Sequence, residues 1–310
     1  MQKILPSIHM LEIFSPVASN EDYFVQTMIK KVAEIPFYRG LELPVIFKKE
    51  NQQTVRQITE EKDYQITAWA SPCIWDKGYN LSNLDPAERQ KAVDYTIELM
   101  KPISEMSAYH MGLPPGPDVA PEKREDAKKA LYDSFCQISE AAKQYKNLHL
   151  TMEPLDRYVH KKQLMGPIHE VMEWFAELKK DCPNFYIHWD SAHEALAHID
   201  LHESLAAALP YMAQFHICNC ITDPAHPCCG DWHMELGEPP LYQNEGYLNV
   251  NIAADLLKQA AAGDKPEGIG CTRVAVEMRT HMGDDLWKGE KEIRNFLMSA
   301  FDLAGLPYDK

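Results

Sequence analysis

Residues 185–190 read Phe-Tyr-Ile-His-Trp-Asp, a short run of aromatic and aliphatic residues that ends on a carboxylate. Runs of about four to eight such residues are typical of β-strands. Three other runs have the same plan: residues 148–153 (LHLTME), 212–216 (MAQFH) and 273–277 (RVAVE) end on Glu, His and Glu. The second half of the chain is therefore predicted to contain four strands that each finish on a potential metal ligand.

Along the whole chain, strand-like runs alternate with longer segments of helical periodicity, which is the pattern of repeated β-then-α units. Eight units in about 300 residues match the size of a TIM barrel, so we predict one α/β domain, a (β/α)8 barrel spanning residues 1–310. An open doubly wound sheet is the alternative, but no GxGxxG turn follows an early strand. The predicted strands are Pro6 to Phe14, Tyr38 to Leu43, Tyr64 to Ala70, Met106 to His110, Leu148 to Glu153, Phe185 to Asp190, Met212 to His216 and Thr272 to Glu277.

The composition is that of a globular protein, with 45% hydrophobic and 25% charged residues among 310. A formal net charge of −15 argues against nucleic acid as a partner, because binding a duplex places Lys and Arg against its phosphates. No segment resembles a signal peptide or approaches the roughly 20 apolar residues of a membrane span. We therefore predict a cytoplasmic protein without a membrane partner that acts on a small molecule and keeps its eight cysteines reduced.

The four strand-end residues are Glu153, Asp190, His216 and Glu277. Because the C-terminal ends of barrel strands converge on one mouth, we expect these side chains to meet. Any one carboxylate at such a position has an alternative role, as a helix cap or a partner for Arg. Three carboxylates packed together resist ionising unless a cation lies between them. Oxygen ligands with one imidazole predict a divalent metal centre, with Mn²⁺ as the first candidate and Mg²⁺, Co²⁺ or Zn²⁺ as alternatives.

Five segments resemble the xylose isomerase-like TIM-barrel superfamily, which includes ketose 3-epimerases, inosose-processing enzymes, hydroxypyruvate isomerases and the endonuclease IV group. They are EPLDR (153–157), DSAH (190–193), QFH (214–216), DWHMELGE (231–238) and VEMR (276–279). The resemblance implies that the four strand-end residues bind the metal and that Arg157 and His193 contact the substrate. It also implies that Glu153 and Glu277 each exchange a proton with a carbon next to a carbonyl.

The reaction that this resemblance implies is a metal-dependent sugar isomerisation or epimerisation. A proton beside a carbonyl is too weakly acidic for a free carboxylate to remove, so the metal would take the developing enediolate charge while Glu153 or Glu277 acts as the base. A proton that leaves toward one glutamate and returns from the other gives epimerisation. Return of the proton to the adjacent carbon gives aldose–ketose isomerisation.

The superfamily also offers two alternatives. The barrel subunit of C-glycoside deglycosidases carries out lyase chemistry by the same proton abstraction and requires a second protein subunit. An endonuclease IV-like phosphodiesterase is favoured by Asp231 and His233, which resemble the third zinc site of that group and leave open a second metal. Against a nuclease, residues 67–70 (Thr-Ala-Trp-Ala) offer no histidine at the third strand, and the net charge is negative.

Further residues are predicted to face the mouth and bind the substrate. The tryptophans among them would pack against the C–H face of a sugar, and Arg279 would point the same way as Glu277, two residues earlier. The predicted substrate-binding residues are His110, Arg157, His193, Asp231, His233, Arg279, Trp69 and Trp232. The absence of a phosphate cradle favours an unphosphorylated sugar or keto-sugar, and relatives suggest a homo-oligomer. His9, His188 and His281 have no identifiable partner, so we predict packing or surface roles for them.

Overall fold

The computed structural model describes residues 4–236, 246–264 and 266–309. Its strands are β1 Ile4–His9, β2 Gly40–Pro44, β3 Gln65–Trp69, β4 His110–Leu113, β5 His149–Met152, β6 Phe185–Asp190, β7 Met212–Ile221, β8 Gly230–Met234 and β9 Thr272–Glu277. Strand β1 pairs in parallel with β2 and β9, and β7 pairs in parallel with β6 and β9, so β1 to β7 and β9 close into a ring. Strand β8 lies outside the ring and pairs antiparallel with the end of β7. The predicted (β/α)8 barrel is confirmed.

The helices connect successive strands on the outside of the barrel. They are α1 Met10–Ile13, α2 Ser15–Ala18, α3 Glu21–Tyr23, α4 Lys30–Val32, α5 Lys49–Lys62, α6 Ser71–Asp76, α7 Pro86–Glu105, α8 Arg124–Ala142, α9 Ile168–Asp181, α10 Ser191–Leu196, α11 Leu201–Ala208, α12 Val250–Ala262 and α13 Leu286–Ala304. A π-helical turn at Phe24–Ile29 joins α3 to α4, and 3₁₀ turns occupy Pro121–Lys123 and Leu209–Tyr211. In the described part of the chain, no helix has both the length and the apolar character needed to cross a membrane.

Helix α9 shows how the outer layer is held against the barrel. Its buried residues Ile168, Val171, Phe175 and Leu178 are spaced by three, four and three positions, which places them on one face of a helix. All six residues of β6 are buried, because helices cover its outer side and the barrel interior covers the other. Each fully buried large apolar side chain contributes roughly 1.5–3 kcal/mol, so this contact stabilises the wall that carries Asp190.

Three of the predicted strands have a bound that is wrong by several residues. The first strand ends at His9, because Met10, Ile13 and Phe14 are buried at helical spacing and the first two belong to α1. The fourth strand begins rather than ends at His110, since Ser107 adopts a left-handed conformation with φ of 59° where α7 ends. Strand β7 continues five residues beyond His216, to Ile221.

Candidate active site

The four predicted metal ligands meet at the C-terminal end of the barrel. Glu153 follows the last residue of β5, Asp190 and Glu277 end their strands, and the sheet register sets Asp190 beside His216. One ligand atom from each of the four residues lies within 4.8 Å of the other three. We call Glu153, Asp190, His216 and Glu277 the ligand cluster.

Two oxygens of the ligand cluster are buried and have no hydrogen-bond partner among the described residues, namely Glu153 Oε1 and Asp190 Oδ2. The other oxygen of Asp190 caps α10, accepting the backbone N–H groups of Ala192 at 2.7 Å and His193 at 3.2 Å. Burial raises the pKa of Asp190 to about 8; the nearby charge of His193 acts to lower this pKa, and the charges of Glu277 and Glu153 act to raise it. Two unpartnered carboxylate oxygens, one of them on an aspartate whose ionisation burial disfavours, fit a divalent cation, which would supply both oxygens with a partner and the aspartate with a counter-charge.

A carboxylate that the sequence analysis missed orients the histidine of the ligand cluster. His216 Nε2 lies 2.8 Å from Glu42 Oε2, and His216 Nδ1 lies 2.9 Å from Glu277 Oε2. Glu42 is the third residue of β2 and is fully buried, and the Trp69 indole N–H also donates to it, at 3.2 Å. A carboxylate on the second ring nitrogen of a metal-binding histidine fixes its tautomer and orientation. The sequence feature that could have pointed to Glu42 is its position as an acidic residue inside a predicted strand.

Two histidines predicted to have only packing or surface roles also lie at the ligand cluster. His9 ends β1, and its Nε2 is 3.6 Å from Glu277 Oε1. His188 Nε2 is 3.9 Å from Glu153 Oε1, and both ring nitrogens of His188 are buried without a hydrogen-bond partner in the described residues. His281 was the third histidine for which a packing or surface role was predicted, and it is exposed.

The β7–β8 hairpin returns Asp231 and His233 to the same mouth. His233 Nε2 lies 3.1 Å from Asp231 Oδ2, and His233 Nδ1 lies 3.0 Å from Glu12 Oε2. Two side-chain cations complete this group: Lys161 Nζ is 2.9 Å from Asp231 Oδ2, and Arg279 binds both oxygens of Glu12. We call these five residues the ion-pair cluster. Gly237 and Glu238, which end the DWHMELGE segment, lie outside the described residues.

Asp231 differs from Asp190 in its protonation although both are buried. Burial alone would raise the pKa of Asp231, but His233, His193 and Lys161 together hold it well below its usual value. Asp231 is therefore ionised and already neutralised by its neighbours. Neither Glu12 nor Lys161 was singled out from the sequence, because Glu12 lies in a four-residue helix and Lys161 in a loop.

Both clusters border one cavity of about 630 Å³, a volume that includes its side open to solvent. Seven residues predicted for the site line this cavity: Trp69, Glu153, His193, Asp231, His233, Glu277 and Arg279. Glu12, Lys161, His9 and Trp75 line it as well. The cavity therefore exposes two glutamates of the ligand cluster beside fixed hydrogen-bond donors.

Three residues predicted to bind substrate do not line this cavity. His110 is wholly buried at the start of β4, where its ring packs among Tyr109 and His149, so its predicted place at the mouth is wrong. Arg157 is buried and donates hydrogen bonds to Glu170 and to the backbone carbonyl of Leu164. These contacts stabilise the loop after β5. Trp232 is half exposed, and its ring lies beside that of His160 rather than in the cavity lining.

The comparisons with known proteins identify the fold family. The sequence model described as xylose isomerase-like TIM barrel matches residues 29–256. No curated protein matches the sequence. Three similar solved structures are a D-psicose 3-epimerase in the presence of D-fructose (TM-score 0.68, 14% identity, 97% of this chain and 99% of that chain), an L-ribulose 3-epimerase (0.66, 13%, 98% and 96%) and the IolI protein with a bound zinc atom (0.65, 14%, 97% and 98%).

Proposed function

Because the chain belongs to the xylose isomerase-like TIM-barrel family, we propose that it is a divalent-metal-dependent sugar isomerase or epimerase. The observation that carries this proposal is the ligand cluster, which gathers three carboxylates and an imidazole within 4.8 Å of one another. Two of these carboxylates, Glu153 and Glu277, also face the cavity. The similar structures named for D-psicose and L-ribulose epimerases agree with a small sugar as substrate.

Glu153, Asp190, His216 and Glu277 would hold the metal ion. Their oxygen-rich set with one imidazole suits Mn²⁺ first, and Mg²⁺, Co²⁺ or Zn²⁺ as alternatives. When bound, the ion supplies Lewis-acid stabilisation for negative charge on a carbonyl oxygen. Glu42 fixes the ring of His216, so the imidazole is already oriented toward the ligand cluster.

Glu153 and Glu277 are the proposed proton-transfer groups. They come from β5 and β9, which are separated by β6 and β7 in the ring, so they approach the cavity from different sides. Glu277 is held by His216 and lies 3.5 Å from His233 Nε2. Glu153 lies 3.6 Å from His193 Nε2. A proton removed by one glutamate and returned by the other inverts a carbon, whereas a single base serving two adjacent carbons moves a carbonyl.

The charges around the cavity favour an uncharged substrate. Lys161 and Arg279 are the two strong cations in its lining, and each already binds a carboxylate of the ion-pair cluster. A phosphate or carboxylate on the substrate would have to compete with Asp231 or Glu12 for them. The remaining N–H donors of these cations and of His193 suit sugar hydroxyls, and the indole of Trp69 offers an apolar face. We therefore propose an unphosphorylated hydroxy-ketone.

The test is hydrogen exchange in D₂O. The protein loaded with Mn²⁺ is incubated with a panel of ketoses, and deuterium at the carbons next to the carbonyl is measured by NMR. We expect deuterium uptake that stops when the metal is removed and falls by about 10²–10⁴-fold in Glu277→Gln, because the base is lost. Glu292→Gln, an exposed glutamate of α13, is the matched control and should exchange normally.

Other results in the same experiment would redirect the proposal. Deuterium uptake accompanied by loss of a leaving group would identify lyase chemistry. Incision of DNA containing an abasic site, without deuterium uptake from any ketose, would contradict the sugar reaction and favour a nuclease. Failure to bind Mn²⁺, Mg²⁺, Co²⁺ or Zn²⁺ would remove the basis of the proposal.

A further inference from the structure

Beside the ligand cluster lies a second set of groups with the spacing of a metal site. One ligand atom each from Glu12, His233 and Glu277 lies within 4.8 Å of the other two, and all three residues are buried. Asp231 extends this set, because its Oδ2 is 3.1 Å from His233 Nε2. The carboxylates of Glu12, Asp231 and Glu277, together with the imidazole of His233, would ordinarily attract another divalent cation.

The two sets differ in what already neutralises them. In the ligand cluster, Glu153 Oε1 and Asp190 Oδ2 have no hydrogen-bond partner among the described residues. In the ion-pair cluster, the Lys161 ammonium lies 2.9 Å from Asp231 Oδ2, and Arg279 Nη2 lies 2.8 Å from Glu12 Oε1. Asp231 and Glu12 therefore each face a positive charge that belongs to the protein, and less negative charge remains for a metal ion to neutralise.

The position of Lys161 is set by its loop as well as by its partner. The buried carboxylate of Asp156 accepts the backbone N–H groups of Val159 at 2.6 Å, His160 at 3.0 Å and Lys161 at 2.6 Å. These bonds turn the chain after β5 back over the mouth. The Lys161 side chain is only 30% exposed and that of Asp231 is buried, so solvent screens this ion pair little.

We propose that the Lys161 ammonium takes the place of a second divalent ion next to Asp231 and His233, so that the mouth holds one metal ion. This inference rests on the proposed function, which supplies the metal ion at the ligand cluster, and it adds that the protein binds one such ion. A lysine there keeps Asp231 and His233 fixed beside Glu277 without a second Lewis acid. The single ion then lies on the side of Glu153 and Asp190, and the opposite side of the cavity offers N–H donors to the substrate.

The experiment counts metal ions in variants of the whole chain. Wild type, Lys161→Gln, Lys161→Arg and the control Lys162→Gln, an exposed lysine of the same loop, are freed of metal and titrated with Mn²⁺ alone. Bound Mn²⁺ is measured by elemental analysis and calorimetry, and electron paramagnetic resonance detects coupling between neighbouring ions. Circular dichroism checks that each variant is folded. We expect one ion in wild type, Lys161→Arg and Lys162→Gln, and two coupled ions in Lys161→Gln.

Each other outcome has a distinct meaning. Two ions in wild type, or a single ion in folded Lys161→Gln, would overturn the role of Lys161 and leave the proposed function standing. No ion in wild type and one in Lys161→Gln would support the role of Lys161 but contradict the proposed metal centre. No ion in any variant would overturn both.

Discussion

Asp190 and Asp231 are buried aspartates at the same mouth, yet their surroundings shift their pKa values in opposite directions. Asp190 faces Glu277 and Glu153 as well as His193, and burial, the largest cause, raises its pKa to about 8. Asp231 faces His233, His193 and Lys161, and its pKa lies well below the usual value. Burial is shared, so the neighbours decide the difference. We therefore propose that the ligand cluster takes a cation from solution, whereas the ion-pair cluster has its cations built into the chain.

The largest expected effect comes from Asp190→Asn. Asparagine can still cap α10 through its oxygen, so the metal-free protein should be about as stable as wild type. The charge that binds the metal is lost, and we expect the Mn²⁺ dissociation constant to rise by about 100-fold or more. At Mn²⁺ equal to 100 times the wild-type Kd, stabilisation on binding should fall from about 2.7 to about 0.4 kcal/mol. Thermal unfolding with and without Mn²⁺ measures this change.

Asp200→Asn is the matched control for that substitution. Asp200 caps α11 in the same way, accepting the N–H groups of His202 and Glu203, but lies outside both clusters. Its Asn variant should retain full stabilisation by Mn²⁺. Equal loss of metal stabilisation in both variants would mean that helix capping, rather than a ligand charge, connects Asp190 to the metal.

An effect of intermediate size is expected from Asp231→Asn, which breaks the ion-pair cluster. Lys161 loses its counter-charge while remaining largely buried, so we expect the free energy of unfolding to fall by about 2 kcal/mol, less than for a fully buried pair. Mn²⁺ binding should weaken far less than in Asp190→Asn. Urea unfolding of the metal-free protein and Mn²⁺ titration separate the two quantities. An unchanged stability would show that the Lys161 pair contributes nothing.

The smallest expected effect is that of Glu42→Gln. The glutamine oxygen can still accept from the His216 ring, so orientation is kept while the carboxylate charge is lost. We expect Mn²⁺ affinity to fall by about 10-fold, the lower end for partners of metal-binding histidines. Glu194→Gln is the control, because Glu194 is also buried but binds Ser204 and the N–H of Ile168. A similar loss of affinity in both variants would assign the effect to general loosening of the barrel.

The sequence predicted the ligand cluster because geometry leaves little choice at a strand end. Parallel barrel strands point their C-terminal ends at one mouth, so a carboxylate such as Asp190 at the end of a clear strand must lie there. The same rule gave a wrong position for His110, because its strand begins at the residue where it was predicted to end, and His110 therefore lies away from the mouth. Which end of a short strand a residue occupies depends on where the preceding helix stops, and that position is weakly encoded locally.

A different reason explains why Glu42, Glu12 and Lys161 were missed. Glu42 is inside β2, and Glu12 is in α1, so neither occupies a strand end. Their partners His216 and His233 are 174 and 221 residues away in the chain. Lys161 reaches Asp231 only because Asp156 folds its loop. Such contacts are set by tertiary packing, which local sequence patterns do not contain.

The length of β7 has a structural consequence. His216 is its fifth residue, and the hairpin pairing with β8 begins at Asn219 on the same strand. One continuous strand therefore connects His216 in the ring to the hairpin that carries Asp231 and His233, so a single backbone segment joins the ligand cluster to the ion-pair cluster. The turn at residues 222–229 is not part of the cavity lining, and His216 would keep its anchor in the ring if this turn were exchanged.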